Sequence, residues 1–119
     1  MGKRQRSRER ISAAPSEYRD AEGNVLSLRG SLTAGTRRAL AQAAAGEGRP
    51  SASLEDSWQR AGEMLFERLA LRWDVAGVPT TGQRELLARY RVASSAEREW
   101  IRGVLREHCR EHFPDVQAP

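Results

Sequence analysis

The sequence predicts an all-α fold: a small bundle of three principal helices plus a short N-terminal helix, preceded by an extended segment and a disordered basic arm. Three observations carry this reading. Residues 53–76, SLEDSWQRAGEMLFERLALRWDVA, repeat apolar side chains at helical spacing. The pairs Thr80–Gln83 and Ser94–Glu97 each have the capping-box pattern that opens a helix. Two breaker clusters bound the first stretch, GEGRPSA at 46–52 before it and AGVP at 76–79 at its end.

Residues 1–17 form the Arg-rich arm, in which apolar periodicity is absent and Pro15 stands among small polar residues; such composition does not bury enough to fold. Residues 18–119 are read as one helical domain, a length sufficient for its own core. Within it, 18–32 is an extended segment, with a turn at Gly23-Asn24 and alternating Leu26 and Leu28 stopped by Gly30. Thr33 or Ser31 caps a short helix through Ala45, with Leu40, Ala41 and Ala44 inward and Gly46 ending it.

The central helix follows. At about 100° per residue, Leu54, Trp58, Ala61, Leu65, Leu69, Trp73 and Ala76 share a face, with Phe66 on one flank and Met64, Leu71 and Val75 on the other. Such a wide apolar arc calls for neighbours around most of the helix. Two arginines break the pattern. Arg72 falls mid-arc with Arg68 one turn earlier, and a buried guanidinium needs a carboxylate or a bound anion. Arg68 and Arg72 are therefore a candidate salt-bridge or anion site, with Glu85 or Glu97 as the interhelical partner. A helix from Thr80 to about Arg91 would bury Leu86, Leu87 and Tyr90; the last, about 95–112, would bury Trp100, Ile101, Val104 and Leu105 before Phe113-Pro114.

Charge is localised. The chain holds 20 basic and 16 acidic side chains, and its first ten residues hold five and one of these, Lys3, Arg4, Arg6, Arg8 and Arg10 against Glu9. The remaining residues carry fifteen of each. The body is neutral and the formal +4 belongs to the arm. Closely spaced arginines neutralise phosphates by counterion release without reading sequence. On the last helix Arg98, Arg102, Arg106 and Arg110 form an i, i+4 ladder, and Arg98, Arg102 and Arg106 extend the same contact onto the body. The lone Cys109 excludes an internal disulfide, and there is no apolar run long enough to span a bilayer, so a cytoplasmic protein without membrane association is expected.

Two motifs compete for other roles. The stretch before AGVP and the helix after it imitate a helix-turn-helix, with Thr80, Thr81, Gln83 and Arg84 toward a groove, although Trp73 and Gln83 stand where tight packing wants a small and an apolar residue. His108-Cys109-Arg110-Glu111-His112 resembles the H-x-x-E-H motif of the inverzincin metallopeptidases over those five residues. The resemblance implies His108 and His112 as zinc ligands and Glu111 as base; Asp115 is the sole carboxylate downstream, whereas that family has a further acidic ligand well beyond the motif. The competing reading makes both histidines hydrogen-bonded structural residues near a helix end.

The functional expectation is a small non-enzymatic protein that binds a polyanion, in first place nucleic acid, through the arm and with low sequence specificity. The alternative is a helical protein-interaction or assembly factor with the arm incidental, and the third is metal binding through His108 and His112. Partners would be nucleic acid or an acidic protein surface, or a protein partner or second copy. No cofactor is called for.

Overall fold

The computed structural model describes residues 13–45 and 54–118. The arm, Lys3 through Arg10, and the 46–52 loop lie outside the described residues. The fold is not all-α. Four helices lie against one face of a four-stranded antiparallel sheet in the order β1-β2-β3-β4, so the helical-bundle expectation is replaced by a two-layer α/β architecture. The strands are β1 Ser16–Arg19, β2 Val25–Leu28, β3 Ala70–Val75 and β4 Val78–Thr81; the helices are α1 Ala34–Ala44, α2 Leu54–Leu69, α3 Gln83–Arg91 and α4 Ser95–His112. Chain order is ββααββαα.

The extended segment is thus half of a sheet. Asp20 closes the β1–β2 turn, its carboxylate accepting from the backbone N–H of Glu22 and Asn24 and from the Asn24 side chain, each at 2.9 Å. Leu26 and Leu28 are fully buried, and across β2 they face Trp73 and Ala70. Those two partners are three residues apart on β3, an odd spacing that would put them on opposite faces. A bulge between Ser27 and Leu28 on the β2 side leaves Leu71 as the extra residue and returns both Ala70 and Trp73 to the core.

The chief correction concerns residues 53–76. The helix ends at Leu69 and the chain continues directly into β3. Neither Gly nor Pro stands there; the N–H of Arg29 donates to the Leu69 carbonyl at 2.8 Å, so the backbone following β2 takes a carbonyl at the helix end. From there Leu71, Trp73 and Val75 alternate with Arg72 and Asp74. In a strand Arg72 points to solvent, where it pairs with Asp74 at 2.8 Å on the same outer face, rather than with Glu85 or Glu97. Arg68 is exposed on the last turn of α2. The buried-guanidinium problem came from the wrong period.

AGVP is likewise a hairpin turn rather than the break in a helix-turn-helix. Ala76 and Gly77 connect β3 to β4 with φ of 51° and 79°, the left-handed pair that a two-residue type I′ turn demands. The Ala76 N–H donates to the Asn24 side chain at 2.9 Å, joining the two hairpin ends. Thr80 and Thr81 belong to β4, so Thr80 caps nothing; α3 starts after Gly82, whose φ of 90° suits glycine and whose missing Cβ leaves room for the Glu85 carboxylate.

The remaining helices follow their sequence signals. Thr33 Oγ1 caps α1 by accepting from Thr36 N–H at 3.2 Å. Both halves of the Ser94–Glu97 capping box are made, at 2.9 and 3.1 Å, and α4 runs from Ser95 to His112. Its inner face buries Ile101, Val104, Leu105, His108 and Cys109, with Trp100 half-buried. Burial pushes the Cys109 thiol up to about 11, which keeps it protonated and unreactive. Phe113 and Val116 close the far end, where Arg37 lies over the Phe113 ring and pairs with Asp115. No described helix is long and apolar enough to cross a membrane.

Alanine at a left-handed position costs about 1–2 kcal/mol, so Ala76→Asn, the residue preferred before glycine in such turns, is expected to stabilise the protein by roughly 0.5–1 kcal/mol. Thermal and urea melts of the variant check this. A lower melting temperature would contradict the turn geometry.

Candidate functional site

A chain of aromatic contacts leads from the sheet to the surface. Trp73 meets the edge of Phe66 with ring centroids 6.0 Å apart, and Phe66 stacks on Tyr90 at 4.7 Å. Arg89 lies over the Trp73 ring at 4.6 Å and is held there by Glu97 at 2.9 Å. The Glu97 carboxyl sits below the usual carboxylate range because it accepts from the Ser94 backbone, against opposing burial and with help from Arg89. The Trp73 indole N–H is buried without a hydrogen-bond partner among the described residues.

Tyr90 ends this chain at a groove of about 200 Å³ between α2, α3 and α4, lined by Gln59, Glu63, Tyr90, Ser95, Arg98 and Arg102. Helical spacing explains the convergence: Ser95, Arg98 and Arg102 fall on one side of α4, and Gln59 and Glu63 on one side of α2. Gly62 lies beneath the ring: a Cβ there would sit 3.5 Å from the Tyr90 hydroxyl, an ordinary contact. Tyr90 is only 5% exposed, but its hydroxyl opens onto the groove, with no hydrogen-bond partner among the described residues. Desolvation raises the tyrosine's pKa, while the charges of Arg102 and then Arg98 act to lower it.

Of the residues expected to contact phosphate, Arg98 and Arg102 are therefore brought together, half-buried, at one groove. Neither is in an ion pair among the described residues, whereas Arg37, Arg72, Arg89 and Arg91 each have a carboxylate. Glu63 is the groove's own carboxylate, and Arg91 engages it at 3.1 Å. Arg106 and Arg110 continue the ladder, both exposed. The arm residues Lys3, Arg4, Arg6, Arg8 and Arg10 lie outside the described residues. The open face of the sheet is no rival basic surface, because Glu17, Arg19, Arg72 and Asp74 alternate in sign across it. Sequence reasoning missed four groove residues, Gln59, Glu63, Ser95 and Tyr90, the last assigned to the core from its spacing; helical periodicity reports which way a ring points, not where its hydroxyl ends.

The histidines serve the fold. His108 is fully buried, and its Nε2 lies 2.7 Å from the Arg29 carbonyl oxygen, which can only accept. Nε2 therefore carries the proton, and Nδ1 accepts from the Tyr18 hydroxyl at 2.7 Å. Both ring nitrogens are used, tying β1 and the end of β2 to α4. His112, half-buried, lies beside it with the rings tilted and their centroids 4.5 Å apart, and is 3.3 Å from Ser16 Oγ. The pair does not offer two free lone pairs to one ion, and no described cluster of three or more His, Cys, Asp or Glu could hold a metal. Glu111 is exposed.

Burial lowers the His108 pKa below 6.5, with the neighbouring His112 adding to this and the Arg29 carbonyl and Glu111 opposing. With the folded value depressed, the unfolded chain binds the proton more readily, so stability is full above about pH 6.5 and falls as pH drops through that value toward the folded one. The carboxylates with lowered pKa values, Asp20, Glu97 and Asp115, act only in the more acidic carboxylate range. Urea unfolding between pH 7.5 and 5 is expected to show declining stability in the native chain. His108→Ala should cost about 3 kcal/mol by stranding Tyr18 and the Arg29 carbonyl and leaving a cavity, with a flatter pH dependence. A variant that keeps the full slope would assign it elsewhere. Comparison of the chain with protein-family models, curated proteins and solved structures finds no match to any of them.

Proposed function

We propose that this is a non-enzymatic cytoplasmic protein that binds a polyanion, nucleic acid in first place, with low sequence specificity. The arm residues Lys3, Arg4, Arg6, Arg8 and Arg10 supply most of the charge, and Arg98, Arg102 and Arg106 of α4 supply the contact on the body. One observation carries the reading beyond composition: Arg98 and Arg102 converge on a groove while standing in no ion pair among the described residues. Guanidiniums so placed gain most from an external oxyanion, since fork-like N–H groups match phosphate oxygens. Because the body is neutral, attraction is local and depends on counterion release.

A second reading, a protein-interaction or assembly module, draws on an exposed tryptophan. Trp100 is half-buried and Leu105 fully buried, so they form no exposed patch, but Trp58 on α2 is 44% exposed. A stoichiometric protein that co-purifies after nuclease treatment, and is lost on Trp58→Ser, would favour it.

Binding of a single-stranded oligonucleotide across a salt series tests the first reading. Each lost phosphate contact lowers the salt slope by about 0.7–1. Deleting residues 1–10 is expected to lower it by about 3–5, and Arg98→Gln with Arg102→Gln by about 1–2. Affinity unchanged by the deletion would defeat the role of the arm; a flat salt series for the native chain would defeat the reading as a whole.

A further inference from the structure

We propose that the groove between α2, α3 and α4 receives a phosphomonoester, the terminal phosphate of a nucleic-acid strand. The inference rests on the polyanion reading and specifies the ligand of its site on the body. Tyr90 carries it. The ring is fixed by its stack on Phe66 and by burial, so the hydroxyl is held at the groove. It has no hydrogen-bond partner among the described residues, so it is a positioned donor that a bound phosphate oxygen can engage in place of solvent.

The rest of the lining matches that need. Arg98 and Arg102 stand one helical turn apart on α4, Ser95 adds a hydroxyl one turn earlier, and Gln59 adds an amide from α2. The one carboxylate, Glu63, is turned to Arg91 at 3.1 and 3.2 Å. Two guanidiniums against one engaged carboxylate leave the groove positive, with donors from three helices.

Size and shape separate a terminal phosphate from an internal one. At about 200 Å³ the groove is smaller than the roughly 300–1,000 Å³ of pockets that enclose a whole small molecule. It suits a group rather than a nucleotide. An internal phosphodiester is flanked by sugar on both sides and presents two unesterified oxygens with a single charge. A monoester has one link, three unesterified oxygens and a charge of about −1.5 to −2 near pH 7. It can enter end-on and offer an acceptor to each guanidinium and to Tyr90. The strand behind it would then lie toward the rest of the α4 ladder.

The test is fluorescence anisotropy of the full chain with one labelled single strand prepared in three forms: 5′-phosphate, 3′-phosphate, and hydroxyl at both ends. One phosphorylated form is expected to bind about tenfold tighter than the hydroxyl form, the scale of one charge-assisted hydrogen-bond set. Tyr90→Phe, which removes only the hydroxyl, should cut that ratio to about two- to threefold. Circular dichroism confirms that the variant is folded. Equal affinity for all three forms, with salt-sensitive binding retained, overturns the end site and leaves the polyanion reading standing. Failure of every form to bind at low salt overturns the polyanion reading itself. A full ratio in folded Tyr90→Phe overturns the assignment to this groove. Inorganic phosphate that displaces the phosphorylated strand at concentrations no higher than the strand's own overturns the strand end in favour of free phosphate.

Discussion

The pairing of β2 with β3 is the contact on which the structure depends. It sets Leu26 against Trp73 and Leu28 against Ala70, burying four side chains at the sheet's centre. The same register lets Arg29 take the Leu69 carbonyl, which ends α2 where no helix breaker stands. Shift that register by one residue and each of these side chains would turn to solvent. The bulge at Leu71 is the local adjustment that keeps Ala70 and Trp73 on one face.

From this pairing the groove follows mechanically. Trp73, fixed in β3, supports Phe66 of α2, and Phe66 supports Tyr90 of α3. Arg89, beside Tyr90 in sequence, packs over Trp73 and reaches Glu97, which also closes the cap of α4. The helix carrying Ser95, Arg98 and Arg102 is therefore oriented at its start by a residue that answers to the sheet. His108 does the same at its other end through Tyr18 and Arg29. A site built on helices held at both ends has its donors preorganised, which is what a small group must find if it is to be bound without an ordering cost.

The reading of residues 70–81 shows how two periodicities overlap. Leu69, Trp73 and Ala76 satisfy a helix, while Leu71, Trp73 and Val75 satisfy a strand, and over so few residues apolar spacing alone does not choose. Arg72 does choose. In a helix it points into the apolar arc and needs an explanation; in a strand it lies outward with Asp74 and needs none. Ala-Gly between Val75 and Val78 is a weaker hairpin signal than Asn-Gly, because alanine resists the positive φ that the turn imposes.

What the sequence determined by itself is what is decided within one turn of backbone. The Ser94–Glu97 cap, the start of α1 at Thr33, the inward residues of α4 and the placing of net charge in the first ten positions all rest on neighbours in the chain. The tertiary structure decided what depends on distant partners: the end of α2 and the strand state of β3, because β2 supplies the hydrogen bonds. It also decided the tautomer of His108, because Tyr18 and the Arg29 carbonyl arrive from the sheet, and the meeting of Tyr90 with Arg98 and Arg102. Backbone hydrogen bonds and contacts such as Tyr18 with His108 are matched across the fold, and a side-chain pattern read along the chain does not contain those matches.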